Sequence, residues 1–255
     1  MSDSIDLEVR DGVAVITIDR PEVRNAIDLP TALALGEALD AVDERDDIRA
    51  AVLTGAGTVF SAGMDLKAFS ATKERPLHPT RGAFGIAGRQ TQKPLIAAVE
   101  GKALGGGFEM ALSCDLIVAA DDAQFGLPEV KRGLVAAAGG VLRLPRRVPR
   151  NVAMELILTG EPISAARAQL FGLVNQVVPT GSAVESAIDL GHRIAANAPL
   201  AVRTSKLLVN ASAEWTTEDM FDRQKPHTDA VRGSQDAAEG ARAFVEKRPP
   251  VWTNQ

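Results

Sequence analysis

The stretch Ala103-Leu104-Gly105-Gly106-Gly107-Phe108-Glu109 decides the reading of this chain. Three consecutive glycines precede an apolar run, and a carboxylate stands two residues after them. Glycine tolerates backbone angles and close approaches that other residues do not. A helix starting here presents unpaired N–H groups and the positive end of its dipole. Together these predict a backbone donor aimed at a developing negative oxygen, with an acid/base side chain one turn away. A plainer reading is also open on this stretch alone: a helix start with an acidic first turn, and glycines that relieve crowding against a strand.

Two other corners share its character. In Phe60-Ser61-Ala62-Gly63-Met64-Asp65-Leu66 a strand ends, small residues permit a tight turn, and a helix begins. Its backbone N–H groups, chiefly that of Met64, are candidate donors, and Asp65 alone would read as a helix cap. In Ala123-Gln124-Phe125-Gly126-Leu127-Pro128-Glu129, Pro128 fixes its own φ and biases Leu127 away from helix, so Glu129 occupies a sharply set position after a strand. Two backbone donors on one carbonyl oxygen and two carboxylates beside the neighbouring carbons suit enolate stabilisation with proton transfer.

Composition bounds the alternatives. The 255 residues are 45% hydrophobic, enough for a large core, and the net charge of −5 without a basic block argues against nucleic acid as a partner. One cysteine, Cys114, excludes an internal disulfide framework and reads as a small buried residue. Neither a signal segment nor an apolar run of membrane-spanning length is apparent, so a soluble, cytoplasmic protein with no membrane partner is expected. No His/Cys/Asp cluster has metal-ligand spacing, so no metal is expected. The glycines do not form G-x-G-x-x-G, which counts against a dinucleotide fold.

Alternation predicts a hairpin over Ile5–Val9 and Val13–Ile18, and helical spacing a helix from Leu29 to about Asp43. Buried strands are expected at Ala50–Leu53, Leu95–Val99 and Leu116–Ala119, with short strands at Ala123–Phe125 and Val174–Val178. A short helix is expected near Asp65–Phe69 and another over Gly106–Ser113. Ser70 to about Arg81 reads as a mobile loop with His78 facing solvent, and Gly82–Thr91 as weakly helical. Helices fill the second half, with Ser164 a cap. An α/β core, residues 1–197, followed by a helical region, 198–255, fits this order. Trp215 and Trp252 are candidate subunit contacts.

These motifs, in this order, make the chain similar to the enoyl-CoA hydratase/isomerase (crotonase) superfamily. The resemblance runs from about Ile5 to Val251. It rests on Arg20-Pro21 with Asn25-Ala26, Phe60 to Lys67, Gly101 to Glu109, Phe125 to Glu129, Gly139-Gly140, and Ala243 to Arg248. Gly105–Leu112, Gly139–Pro145 and the ending Arg248-Pro249-Pro250-Val251-Trp252 most resemble the carnitinyl-CoA dehydratase branch. Ala136-Ala137-Ala138 departs from it by replacing a more polar stretch.

The resemblance implies a crotonase-like spiral of ββα units with a helical C-terminal trimerisation region, assembled as a homotrimer or a dimer of trimers. It implies an acyl-CoA thioester substrate, with coenzyme A part of that substrate and no separate cofactor. The amides of Met64 and Gly106 would form an oxyanion hole, and Glu109 and Glu129 fall on the two glutamates of true hydratases. Val23, Arg24 and Ala26, with Ala62, Gly63, Asp65, Leu66 and Lys67, and Gly105 beside the hole, would hold coenzyme A. Phe244 and Lys247 match C-terminal positions that touch it, in some members from a neighbouring subunit. The implied activity is reversible syn hydration of a 2-enoyl-CoA. The alternatives are an enoyl-CoA isomerase, which needs mainly Glu129, and a non-catalytic acyl-CoA-binding protein.

Overall fold

A computed structural model describes residues 4–255. Ile5–Arg10 (β1) and Val13–Ile18 (β2) pair antiparallel as the alternation predicts. Asp11 and Gly12 both take positive φ, +47° and +84°, which matches the right-handed twist of the flanking strands in a two-residue turn. Leu29–Glu44 (α1) follows, with the Asp28 carboxylate accepting the Thr31 amide at its start. Ala50–Gly55 (β3) leads to Leu66–Thr72 (α2), then to the two-residue strands Leu77–His78 (β4) and Gly82–Ala83 (β5).

Leu95–Val99 (β6), Lys102–Leu104 (β7) and Gly106–Ser113 (α3) form one strand–strand–helix unit. Leu116–Ala120 (β8) and Gln124–Gly126 (β9) begin the next, followed by a tight 3-10 turn over Pro128–Arg132 and Gly140–Arg147 (α4). Arg150–Thr159 (α5), Ile163–Ser164 (β10), Ala165–Leu170 (α6), Gln176–Val178 (β11) and Ala183–Ala195 (α7) complete the core. Pro199–Ser212 (α8), Met220–Arg232 (α9) and Gln235–Glu246 (α10) close the chain.

The main sheet has the order β1-β2-β3-β6-β8-β11, parallel throughout except for the first pair. Its period-2 alternation sorts side chains onto two covered faces. Val13, Val15, Val52, Ile96, Ala98 and Val118 pack under α7 through Ala187 and Ile188. The residues between them, such as Ile16, Leu53, Ala97 and Ile117, join Leu35, Leu39 and Phe108 in the larger core.

A second, smaller sheet, β10-β9-β7, sets the site. Ala103 on β7 lies opposite Phe125 on β9, and Ser61 bridges to Ala103 on the other side. Three successive turns of the spiral thus place Ser61, Ala103 and Phe125 side by side. Each turn runs from a strand of the main sheet, through this second layer, into a helix or 3-10 turn. The sequence reading did not anticipate β7, because three residues with one apolar pair carry no periodicity.

The segment after α2 differs from expectation. It is tied down, and no helix forms over 82–91. Arg81, with its side chain fully enclosed, donates Nε to Asp40 at 3.0 Å and Nη2 to Asp43 at 3.0 Å, both on α1. His78 packs its ring against Gly36 and accepts the Thr80 and Arg81 amides through Nδ1. A charged segment reads as solvated when its partners are distant in sequence, and these lie about forty residues away. Trp252 turns back onto its own chain, donating from the indole to the Ala196 carbonyl at 2.8 Å and packing over Gly240.

Replacing Arg81 leaves Asp43 buried without its cation. Removing one partner of a buried ion pair costs about 3–5 kcal/mol. Arg81→Ala is therefore expected to lower the unfolding free energy by an amount of that order, read as a fall in the urea midpoint, and an unchanged midpoint would show that the pair does not hold the segment.

Candidate active site

The parallel register explains why distant corners meet. Three residues beyond Ser61, Ala103 and Phe125 the chain reaches Met64, Gly106 and Pro128, and Glu129 comes next. Neighbouring strands lie about 4.8 Å apart. Two amides at that spacing can each reach one oxygen at about 2.9 Å.

Local geometry leaves both amides available. The bridge between Ile27 and Met64 uses the Gly63 carbonyl and the Asp65 amide, each bonded to Ile27, so the Met64 N–H points to the opposite side. Gly106 is the first residue of α3, and the first intrahelical bond runs from the Glu109 amide to the Gly105 carbonyl. Its N–H is one of the orphan donors of a helix start. Among the described residues neither N–H has an acceptor.

The glycines are required for separate reasons. Gly63 has φ +86°, and a Cβ on it would lie 2.6 Å from the Gly106 nitrogen, so the two corners abut. Gly105 turns into α3 with φ +56°. A Cβ on Gly106 would strike the Phe84 ring at 2.3 Å, and one on Gly107 the Ser61 carbonyl at 2.1 Å. Relief of crowding and donor presentation are both true of this run, at different residues.

The two carboxylates reach the same place from different elements. Glu109, buried in the first turn of α3, accepts the Gly140 amide through Oε1 at 2.9 Å. Glu129 stands in the 3-10 turn with Oε1 3.2 Å from where a Gly105 Cβ would sit, and its Oε2 is buried without a partner. Burial raises both carboxyls above the ordinary value of 4.5. The bond from Gly140 partly opposes this at Glu109, while the nearby charge of Glu129 adds to it. At Glu129 a hydrogen bond from its own backbone and then the Arg132 charge pull the other way.

The predicted coenzyme A segments lie against one another. The Ala62 amide donates to the Arg24 carbonyl at 3.0 Å, and Ser61 Oγ donates to the Asn25 carbonyl at 2.7 Å. Val23 is half-buried and Arg24 exposed, while Ala26 is buried and its carbonyl accepts from Arg20. Asp65 is buried, caps α2 by accepting the Ala68 amide, and pairs with Arg20 at 3.2 Å. Ala62, Leu66 and Lys67 are exposed. A cavity of about 170 Å³ opens beside this corner, lined by Ile27, Leu29, Asp65, Ala68 and Phe69 among others. Phe244 and Lys247 stand exposed at the end of α10 and are not joined to this cluster within the chain.

Sequence reasoning missed three contributors. Asn25, fully buried at φ +54°, accepts the Arg20 amide and donates to the Ala56 and Val59 carbonyls, shaping the turn. Its place in Arg20-Pro21…Asn25-Ala26 was visible, but its role was not. Phe84, at φ +57°, walls Gly106. Arg143 bonds the Ala138 and Ala87 carbonyls behind Glu109. Cys114 is buried, with its thiol pushed up to about 12, as a structural residue would be.

A spiral of ββα units with two free amides, a buried glutamate and a half-buried one defines an enzyme of the crotonase class. The chain belongs to the enoyl-CoA hydratase/isomerase family, whose sequence profile matches residues 8–255. Among curated proteins it is 42% identical over 261 residues to the carnitinyl-CoA dehydratase of Salmonella typhi, with 99% of each covered. Among solved structures it matches an enoyl-CoA hydratase from Mycobacterium tuberculosis H37Rv at 48% identity and TM-score 0.97, covering 99% of both chains. It matches a carnitinyl-CoA hydratase from Mycobacterium avium at 45% identity and TM-score 0.80 over the whole of both. No helix of the described residues is long and apolar enough to cross a membrane.

The raised carboxyls carry a stability consequence. The folded state holds these protons more tightly than the unfolded chain, so stability falls as pH rises through the window above 4.5. Glu109→Gln or Glu129→Gln removes that loss. Each variant is expected to melt higher than the parent at neutral pH, with the gain shrinking as pH falls below the ordinary carboxylate range. A variant less stable at neutral pH than at acid pH, relative to the parent, would contradict the burial argument.

Proposed function

We propose that the protein catalyses reversible syn addition of water across the C2=C3 bond of a 2-enoyl-CoA thioester. The observation that carries this reading is the pair of glutamates, Glu109 buried and Glu129 half-buried, beside two unpaired amides. The Met64 and Gly106 N–H groups receive the thioester oxygen as negative charge develops on it. A donor of this kind contributes about 3–4 kcal/mol to lowering the barrier.

The two carboxyls have different surroundings, which separates their roles. Glu109 accepts a backbone N–H, a contact that favours its ionised form. It takes a proton from water as the water oxygen bonds to C3. Glu129 is desolvated with one oxygen unpaired, a setting that favours its protonated form. It passes its proton to C2 as the enolate collapses. Water is consumed, one C–O and one C–H bond form, and the π bond is lost. Proton exchange with solvent then restores the starting forms.

An isomerase shuttles one proton between C2 and C4 and has no use for a base fixed opposite Glu129. The tether between Glu109 and Gly140 therefore supports hydration. The apolar Ala136-Ala137-Ala138 stretch, with Ala136 buried near Gly140, supports a dry acyl pocket. Similarity to carnitinyl-CoA dehydratases makes crotonobetainyl-CoA a substrate to test.

In this reading coenzyme A runs along Val23–Ala26 and Ala62–Lys67, the two segments that lie against one another. Phe244, 86% exposed, and Lys247 would then meet it from a neighbouring subunit, which their exposure in the single chain supports. Exposed Leu207, Val209, Phe221 and Val245 on the C-terminal helices support a trimer built through residues 198–255, with 1–197 as the spiral core. A cytoplasmic location fits these readings.

With crotonyl-CoA, loss of the conjugated thioester absorbance should follow wild-type protein. Glu109→Gln and Glu129→Gln should each lower kcat by about 10²–10⁴-fold while CoA-ester binding persists. Full activity in both variants would defeat the assignment. A 3-enoyl-CoA converted to conjugated product without hydration would favour the isomerase.

A further inference from the structure

Two segments wall the site without supplying its reacting groups. Residues 81–89 carry Phe84, whose ring covers Gly106. Residues 133–139 carry Ala136 and lead into the Gly140 amide that holds Glu109. These segments lie about fifty residues apart in sequence and need a tie.

Arg143 supplies it. From the first turn of α4 its Nη1 donates to the Ala138 carbonyl at 3.0 Å, and its Nη2 donates to the Ala87 carbonyl. The guanidinium comes close to Gly139, where a Cβ would lie 2.0 Å from Nη1. Gly139 has φ +107°, so glycine serves there both the turn and the close approach of the cation. Only a forked, planar cation makes two such bonds in fixed directions; an ammonium on a flexible stem does not.

We propose that Arg143 is a positioning residue for the hydration step, joining the two walls and setting the α4 N-terminus against Glu109. This rests on the hydratase reading above. Arg143 forms no direct ion pair with Glu109, yet its charge draws that carboxyl down against burial. The other groups facing Glu109 are the Gly140 amide from α4, the Ala138 backbone, and Glu129 from the 3-10 turn. Around Arg143 stand Arg146 and Arg147 on α4, with Glu109 on α3 and the neutral Cys114 just past its end. Burial and the two arginines push the guanidinium below its ordinary value, and it stays charged.

The test is steady-state hydration of crotonyl-CoA across pH by the full chain, with three variants. Arg143→Gln should lower kcat by about a hundredfold, the scale of a small misplacement transmitted to a reacting group. KM should change little, and the acid limb of the kcat profile should move to higher pH, because Glu109 loses the charge that favours its ionised form. Arg143→Lys keeps the charge and should return the limb toward wild type while recovering only part of kcat. Gly139→Ala displaces the guanidinium without removing it and should shift the limb in the same direction as Arg143→Gln; it carries the test if the latter does not fold.

A folded Arg143→Gln with a wild-type limb, or a loss confined to thermal stability, overturns the inference. Absence of hydration by the wild-type protein would instead sink the reading beneath it.

Discussion

The site depends on one register. Ser61, Ala103 and Phe125 sit side by side in the second layer, and each strand then runs the same distance into its corner. That row converts three sequence segments, far apart along the chain, into neighbours separated by single strand spacings. A slip of one residue in any of them would turn a donor or a carboxylate away, because side-chain and amide directions alternate along a strand. The main sheet enforces the row from beneath. Its strands β3, β6 and β8 are parallel and adjacent, and each feeds the second layer within a few residues.

Around this row the chain accepts local costs. Phe84 and Asn25 hold positive φ inside the packed site, a conformation uncommon for residues other than glycine and costly for a bulky aromatic. Two carboxyls lie close together, Glu109 buried and Glu129 half-buried with one enclosed oxygen unpartnered. Glycines stand where neighbouring backbone leaves no room for a Cβ. Such departures concentrate where chemistry needs them, while the two apolar faces of the sheet supply the burial that offsets them.

Much of this was legible before any coordinates. The hairpin, α1, β6 and α3 follow directly from alternation, helical spacing and the glycine run. Glu109, Glu129, Met64 and Gly106 stood out as residues able to do carbonyl chemistry, and the family order of the motifs linked them. The 70–91 segment was misread because its charge partners, Asp40 and Asp43, belong to a helix that no local pattern connects to it. β7 escaped because three residues are too few to show a period. Arg143 escaped because its partners are backbone carbonyls of two loops, and a carbonyl leaves no mark in a sequence.

The central claim is that the amides of Met64 and Gly106 share one thioester oxygen. A crystal structure of the protein with butyryl-CoA, which binds as a thioester and has no double bond to hydrate, tests it directly. The account predicts the thioester oxygen at about 2.7–3.1 Å from both nitrogens, with the C2 and C3 carbons facing Glu129 and Glu109. A thioester oxygen bound elsewhere, or touching only one of the two amides in every subunit, would contradict it.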